Sequence, residues 1–318
     1  MKMVAISGCT GAIGIALINK CIEKGIKVIA YVRPGSKRRD RIPKSDLVKI
    51  SDYDMADFAK LSRLSSMVKL PQVDVFYHLA WAGTIGEERN DARLQSLNIQ
   101  YTLDAVELAA AMGAKVFVGA GSQAEYGRVE GILKPDTPVN PENGYGQAKL
   151  CAGQLSRLMC EQYGMKHIWA RVLSVYGPYD GEKTMIISTI KKLITGERPP
   201  LTAGKQEWDY LYSGDGAEAF YLMGEKSYLT PYSGKGENSK VYCLGSGQAY
   251  PLRSYIKILR DTINPDLSLG FGEIPYSDKQ VMYLCADISA LRNDTGFVPK
   301  TSFEKGIKET IAYVRSMR

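Results

Sequence analysis

The sequence predicts an α/β fold: a doubly wound sheet of parallel strands, followed by a smaller C-terminal α/β lobe. Three observations predict it. Up to about residue 173, short β-branched runs alternate with longer amphipathic stretches, at the spacing of parallel strands joined by right-handed crossovers. The first run leads straight into Gly8-x-x-Gly11-x-x-Gly14 and then a helical pattern. Beyond about residue 174 the alternation loosens, broken by Tyr176-Gly-Pro178, Pro199-Pro200 and Pro231–Gly236.

Taken in order, Lys2–Ser7 reads as a strand, Gly14–Lys24 as a helix and Lys27–Val32 as a second strand. Leu47–Ser51 reads as a third strand, with a helix expected over about 55–69. Val73–Leu79 is a strand, Leu94–Met112 a long helix and Lys115–Ala120 a strand. Gly144–Tyr163 is a helix and His167–Leu173 a strand. Later, Val241–Leu244 looks like a strand returning to the sheet, and Leu252–Thr262 and Phe303–Met317 are amphipathic helices. The expected division is a Rossmann cofactor domain over 1–173 and a substrate lobe over 174–318.

Composition narrows the class. The 318 residues are 45% hydrophobic and 24% charged, with no low-complexity tract and no apolar run long enough to span a bilayer. The first residues enter a strand directly, without a signal-like apolar core, so a cytoplasmic protein is expected. Six cysteines form no Cys-x-x-Cys pair, and the two histidines, His78 and His167, have no metal-ligand spacing. Reduced thiols and no metal site are expected. The net charge of +7 is modest, and no basic helix accompanies it, which argues against nucleic acid as a partner. An anionic small molecule accounts for it equally well.

The glycine motif sits between a strand and a helix, the context a dinucleotide site requires. Its glycines let the backbone turn tightly beside a pyrophosphate resting on the helix N-terminus, with Thr10, Ala12 and Ile13 lining the same turn. The second strand ends Tyr31-Val32-Arg33-Pro34-Gly35-Ser36-Lys37. No acid stands there for a ribose 2′-hydroxyl, whereas Arg33, Ser36 and Lys37 suit a 2′-phosphate. NADP is therefore expected, with NAD the alternative; a solvated basic loop is the plainer reading, since Arg38, Arg39 and Arg41 prolong the run. Asp52 and Tyr53 follow the third strand, where Asp52 is either an acceptor for the adenine amine or a simple loop acid. Leu79, Ala80 and Trp81 after the fourth strand, and Val172 near the end of the sixth, are further expected cofactor contacts.

Tyr145-Gly-Gln-Ala-Lys149 places a phenol and an ammonium one helical turn apart on one face. An ammonium beside a phenol favours the phenolate. A free phenol titrates near 10, so a base acting near neutrality needs about 4 kcal/mol of help. Lys149 and an oxidised nicotinamide together are able to supply it in a site screened from water. Ser122, after the apolar run Val116-Phe-Val-Gly-Ala, is either a third member of this group or a turn-capping residue.

The chain resembles the extended short-chain dehydrogenases/reductases of the nucleotide-sugar-modifying group, the NAD-dependent epimerase/dehydratase family, over essentially its whole length. The resemblance rests on the glycine motif, His78-Leu-Ala80, Asn98, Gly121-Ser-Gln-Ala-Glu-Tyr-Gly127, Tyr145-x-x-x-Lys149, Arg171-x-x-Ser-Val-Tyr-Gly-Pro178 and Trp208-Asp-Tyr-Leu-Tyr212. It implies Tyr145 as general acid/base, Ser122 orienting the substrate oxygen, and Lys149 holding the nicotinamide ribose and tuning Tyr145. Asn98 is implied to support the hydrogen bonds to Lys149. Substrate contacts are expected from Thr84, Ser122, Gln123, Ser174, Lys183, Thr184, Gln206, Trp208 and Arg253, and a homodimer from the helices Leu94–Met112 and Gly144–Tyr163. Dehydratases of the group carry Asp-Glu directly after the Ser/Thr, where this chain has Gln123 and Ala124. The usual Asn of the Arg-x-x-Asn-Val-Tyr-Gly-Pro segment is Ser174. The segments Ser-Gln-Ala-Glu-Tyr-Gly and Trp-Asp-Tyr-Leu-Tyr are similar to CDP-abequose synthase-like 4-ketoreductases. NADPH-dependent reduction of a nucleotide-linked 4-keto-6-deoxysugar is the leading expectation, and a 4-epimerase with tightly bound NAD the alternative.

Overall fold

A computed structural model describes residues 1–234 and 236–317. Its centre is a seven-stranded sheet in which every pairing is parallel. The first six strands are β1 (Met3–Ser7), β2 (Lys27–Val32), β3 (Val48–Asp52), β4 (Val75–His78), β5 (Val116–Ser122) and β6 (Lys166–Val172). They run β6-β5-β4-β1-β2-β3, and the strand Ser239–Leu244 returns to pair beside β6. The strand order reverses between β1 and β4, which is where open α/β sheets hold ligands beyond their carboxyl ends.

Helices cover both faces. On one lie α1 (Ala12–Glu23), α6 (Ser213–Leu229) and α8 (Ser289–Thr295), whose Ile18, Phe220 and Leu291 join one core with Val4, Ile6 and Val118. On the other lie α2 (Phe58–Arg63), α3 (Ala92–Ala111) and α4 (Gly144–Gln162), whose Phe58, Leu108 and Cys160 pack with Phe76 and Phe117. A row of stacked rings crosses this second face: Tyr31, Phe76, Phe117, His167 and Trp169, with successive centroids 6.0, 6.0, 6.3 and 5.9 Å apart. A third cluster joins α5 (Met185–Ile194), α7 (Leu252–Ile263) and α9 (Phe303–Ser316) through Ile190, Leu259, Ile307 and Ile311. The Asp209 carboxylate, fully buried, fastens this region by accepting from Ser246 N (2.6 Å), Gly247 N and Ala286 N (both 3.1 Å).

The expected helix over 55–69 is instead a six-residue α2 between 3-10 turns at Met55–Asp57 and Leu64–Ser66. Its serines explain the break: Ser62 and Ser66 hydroxyls donate back to Ala59 O and Arg63 O, competing with the helical ladder. Three helices escaped the sequence reading, α5, α6 and the seven-residue α8. In α5 the signal was present, since Ile186, Ile187, Ile190 and Leu193 fall on one buried face. In α6, Gly214, Gly216 and Gly224 obscure the pattern, and Gly224 is required by packing: a Cβ there would stand 2.0 Å from the Tyr77 hydroxyl oxygen. Among the described residues no helix is long and apolar enough to cross a membrane.

Both histidines are structural. His78 Nδ1 lies 2.8 Å from Ser7 Oγ, and His167 bridges Ser156 and Ser239 at 2.9 and 3.0 Å. Burial pulls each imidazole from 6.5 down to about 3, so both rings stay neutral in the fold. The unfolded chain takes up these protons near pH 6.5 and the folded chain only near 3. Their stabilisation is therefore complete above about pH 6.5 and declines as pH falls towards 3. Melting midpoints measured from pH 7 to 4 should drop less steeply for His167→Gln than for the parent; equal slopes would contradict the assignment.

Candidate active site at the carboxyl edge of the sheet

The turn from β1 into α1 is shaped for a phosphate. Gly8 has φ +71°, and a Cβ on it would lie 2.5 Å from both Leu79 C and Ala80 N. A Cβ on Gly14 would lie 2.5 Å from Gly8 O. These two glycines let three backbone segments touch. Gly11 is different: its nearest neighbour would be Gly8 O at 3.7 Å, so its bare face is open. Gly11 N-caps α1 with no side-chain cap and no acid in the first turn, leaving the half-buried Thr10, Ala12 and Ile13 around an unscreened positive helix end. This cradle fits a dinucleotide pyrophosphate.

At the far end of the cleft, Arg33 is exposed and has no ion-pair partner among the described residues. Ser36 Oγ accepts from Arg38 N at 3.3 Å, and Lys37 is exposed. Asp52 is paired with Arg39 through one carboxylate oxygen. Tyr53 beside it is 37% exposed.

The reactive group assembles where β5 ends against α4. Ser122 closes β5, and its hydroxyl accepts from Ala124 N (3.2 Å), capping the short turn Gln123–Glu125. The same hydroxyl acts on the Tyr145 phenol, lowering its proton affinity. Tyr145 lies in the first turn of α4, which Asn143 caps by accepting from Gly146 N at 2.8 Å. One turn later Lys149, 3% exposed, donates to Ala120 O at 2.6 Å and sits 3.7 Å from the Trp81 ring centroid. Its ammonium is 5.8 Å from the Tyr145 ring. The structure thus brings Ser122, Tyr145, Lys149 and Trp81 together.

Electrostatics differ from expectation. Burial pushes the Tyr145 phenol above its ordinary value, with the Glu125 carboxylate adding to this, while the Ser122 hydrogen bond and Arg89 pull the other way. Burial also lowers Lys149 from 10.5 to about 7. The Lys149 ammonium stands 5.8 Å from the Tyr145 ring, and the groups that lower the phenol are Ser122 and Arg89. Asn98 likewise makes no bond to Lys149. Its amide brackets Ala82, accepting from Ala82 N (2.9 Å) and donating to Ala82 O (3.0 Å). It secures the loop that carries Trp81, whose indole lies against the Lys149 ammonium.

Three residues with no assigned role prove central. Glu125, wholly buried, accepts from Ser122 N (2.8 Å), Trp169 Nε1 (2.9 Å) and Arg171 Nε (2.7 Å). Arg171 also donates to Pro135 O at 3.1 Å. Arg89 lies 4.2 Å over the Tyr145 ring. Glu125 and Arg171 both lay within motif segments; Arg89 sits in a run of charges indistinguishable from a solvated loop.

The expected substrate contacts are scattered. Ser174 Oγ accepts from Trp208 Nε1 at 2.7 Å, so those two engage each other. Thr184 donates to Asp180 Oδ2 at 3.0 Å, and burial raises that carboxyl to about 6. Gln206, buried, accepts from the Tyr276 hydroxyl at 2.8 Å. Lys183 and Arg253 are exposed, Arg253 with its guanidinium 5.2 Å over Phe271. Thr84 is exposed and accepts from Arg89 through its carbonyl. Gln123 and Val172 are half-buried.

Comparison with known proteins agrees with this geometry. An uncharacterized protein of Methanocaldococcus jannaschii is 24% identical over 320 residues, covering 96% of this chain and 94% of its own. A UDP-N-acetylglucosamine 4-epimerase from Methanobrevibacter ruminantium, solved with UDP-N-acetylmuramic acid, shares the fold at TM-score 0.85 and 22% identity, over 100% of this chain and 99% of that one. A UDP-glucose 4-epimerase from Thermotoga maritima, solved with UDP-glucose, does so at TM-score 0.82 and 23% identity, over 99% of each. Residues 4–232, from β1 through α6, match the pattern of one family, and with its glycine cradle and Tyr145/Lys149 helix this chain belongs to the NAD dependent epimerase/dehydratase family.

Proposed function

We propose that this chain is an NADPH-dependent reductase of a nucleotide-linked 4-keto-6-deoxysugar. One observation carries the reading furthest: Ser122 lowers the proton affinity of the Tyr145 phenol, yet burial outweighs it and raises the phenol above its ordinary value. A neutral phenol is already loaded for donation, which suits delivery of a proton to a carbonyl oxygen rather than its removal from a hydroxyl. When bound, the nicotinamide supplies the hydride. Gly8, Gly11 and Gly14 would hold its pyrophosphate, Lys149 its ribose, and Arg33 with Ser36 a 2′-phosphate. The Ser122 hydroxyl orients the sugar oxygen beside Tyr145. Elimination of water gains no support, because Gln123 and Ala124 lack acid function and the Glu125 carboxylate is fully engaged in the core.

Enzyme mixed with NADPH and a 4-keto nucleotide sugar should oxidise one cofactor per sugar reduced. No absorbance change with any such sugar would overturn the reading. The second reading is a 4-epimerase, favoured by two structural relatives that are themselves 4-epimerases. It expects NAD retained through purification and inversion of the sugar without net cofactor turnover. Arg33→Ala should weaken NADPH binding by roughly tenfold or more while leaving NADH nearly unchanged; equal losses would remove the 2′-phosphate assignment.

We also propose a cytoplasmic homodimer. Leu97 on α3 and Leu155 and Leu158 on α4 are 47%, 39% and 47% exposed, apolar surface that a second copy would cover. Sedimentation should give twice the chain mass, and Leu155→Asp/Leu158→Asp should reduce it to one.

A further inference from the structure

We propose that Arg89 is a positioning residue for Tyr145, clamping the phenol ring and supporting the negative charge left on its oxygen when the proton is delivered. The inference rests on the proposed proton transfer and extends it to a residue outside every motif in the chain.

The geometry is built rather than incidental. Arg89 belongs to the 3-10 turn Gly86–Asn90 and is half-buried, with its guanidinium carbon 4.2 Å from the Tyr145 ring centroid. Arg89 Nη1 donates to Thr84 O at 2.8 Å, which fixes the side chain from behind. The turn is pinned twice more. Gln95 Nε2 donates to Gly83 O (2.8 Å) and Glu88 O (2.9 Å), and Asn90 Oδ1 accepts from Gly144 N (3.1 Å) at the very start of α4. The second of these contacts ties the turn to the helix that bears Tyr145. Tyr145 also meets the Trp81 ring edge-on at 6.0 Å, and the Lys149 ammonium lies 3.7 Å from the centroid of that indole and 5.8 Å from the Tyr145 ring.

The charged groups facing the phenol come from three elements. Ser122 and Glu125 approach from the end of β5 and its turn, Lys149 from α4 itself, and Arg89 from the Gly86–Asn90 turn. Glu125 is paired with Arg171, and Lys149 donates one N–H to Ala120 O. Arg89 is the group with a permanent positive charge against the ring face. When the Tyr145 O–H bond breaks and its proton forms the new O–H bond of the product alcohol, the electron pair stays on the phenolate. A cation over the face stabilises that anion more than the neutral phenol. Solvent then returns a proton to the oxygen.

Three proteins, the parent, Arg89→Met and Arg89→Lys, test this by the pH dependence of reduction. Arg89→Met should move the limb assigned to Tyr145 upward by about one pH unit and lower kcat, with KM for the nucleotide sugar unchanged. Arg89→Lys should bring the limb most of the way back. A limb that stays in place, or a change confined to KM, would overturn the proposal. Near-ultraviolet tyrosinate titration needs no substrate. Each protein is compared with its own Tyr145→Phe counterpart, and the difference should show the same shift. If no keto sugar is reduced by the parent, the proposed activity fails, yet this titration still decides the role of Arg89.

Discussion

Tyr145→Phe is expected to lose at least about a hundredfold in turnover, because it removes the one group placed to transfer a proton to the substrate oxygen. The effect should be confined to the chemical step. The ring, its edge contact with Trp81 at 6.0 Å and its stacking under Arg89 at 4.2 Å survive the loss of a single oxygen. The hydroxyl of Ser122 keeps its cap on Ala124 N, so β5 and α4 stay in register. Cofactor affinity should therefore be unchanged when measured by fluorescence titration. Turnover close to that of the parent would place the proton elsewhere. With Lys149 committed to Ala120 O, and Asp180 bonded to Thr184 and Gly181, no other group described here is poised to take the role.

Glu125→Ala should be the most destabilising single change near the site, by about 3–5 kcal/mol in denaturant unfolding. It leaves Arg171, 7% exposed, without its counter-charge, and strips the acceptor from both Trp169 Nε1 and Ser122 N. Glu125→Gln keeps a neutral acceptor for those two donors and should lose less. Replacing both members, Glu125→Leu with Arg171→Met, should recover much of the loss, because the cost lies in the orphaned charge rather than in the missing pair. Activity should follow a different order. Glu125 holds the backbone of Ser122, so even the stable double variant should turn over slowly. If Glu125→Ala unfolds at the parent's denaturant midpoint, the pair is not the anchor described.

The legible part of the site was its local part. Gly8, Gly11 and Gly14 announce a phosphate turn because the strand before and the helix after are themselves readable from short-range patterns. Tyr145 and Lys149 share a face because a helix makes residues four apart into neighbours. The long-range partners were not readable. Arg89 reaches Tyr145 across 56 positions of chain, through a turn whose residues look like ordinary exposed charge. Glu125 lies beside two positions that carried an expectation, but its engagement by Trp169 and Arg171 depends on β5 and β6 pairing. Asp52, at the end of the third strand, is paired with Arg39 from the preceding loop, a contact that no local pattern announces.

By itself the sequence determined the parallel sheet, its crossovers, the glycine turn and the placing of Tyr145 and Lys149 on one helical face, since periodicity and spacing act over a few residues. Only the tertiary structure decided the electrical state of that pair. Proton affinity depends on how deeply each atom is buried and on which charges approach through space. Here burial lowers Lys149 to about 7 and raises Tyr145 above its ordinary value.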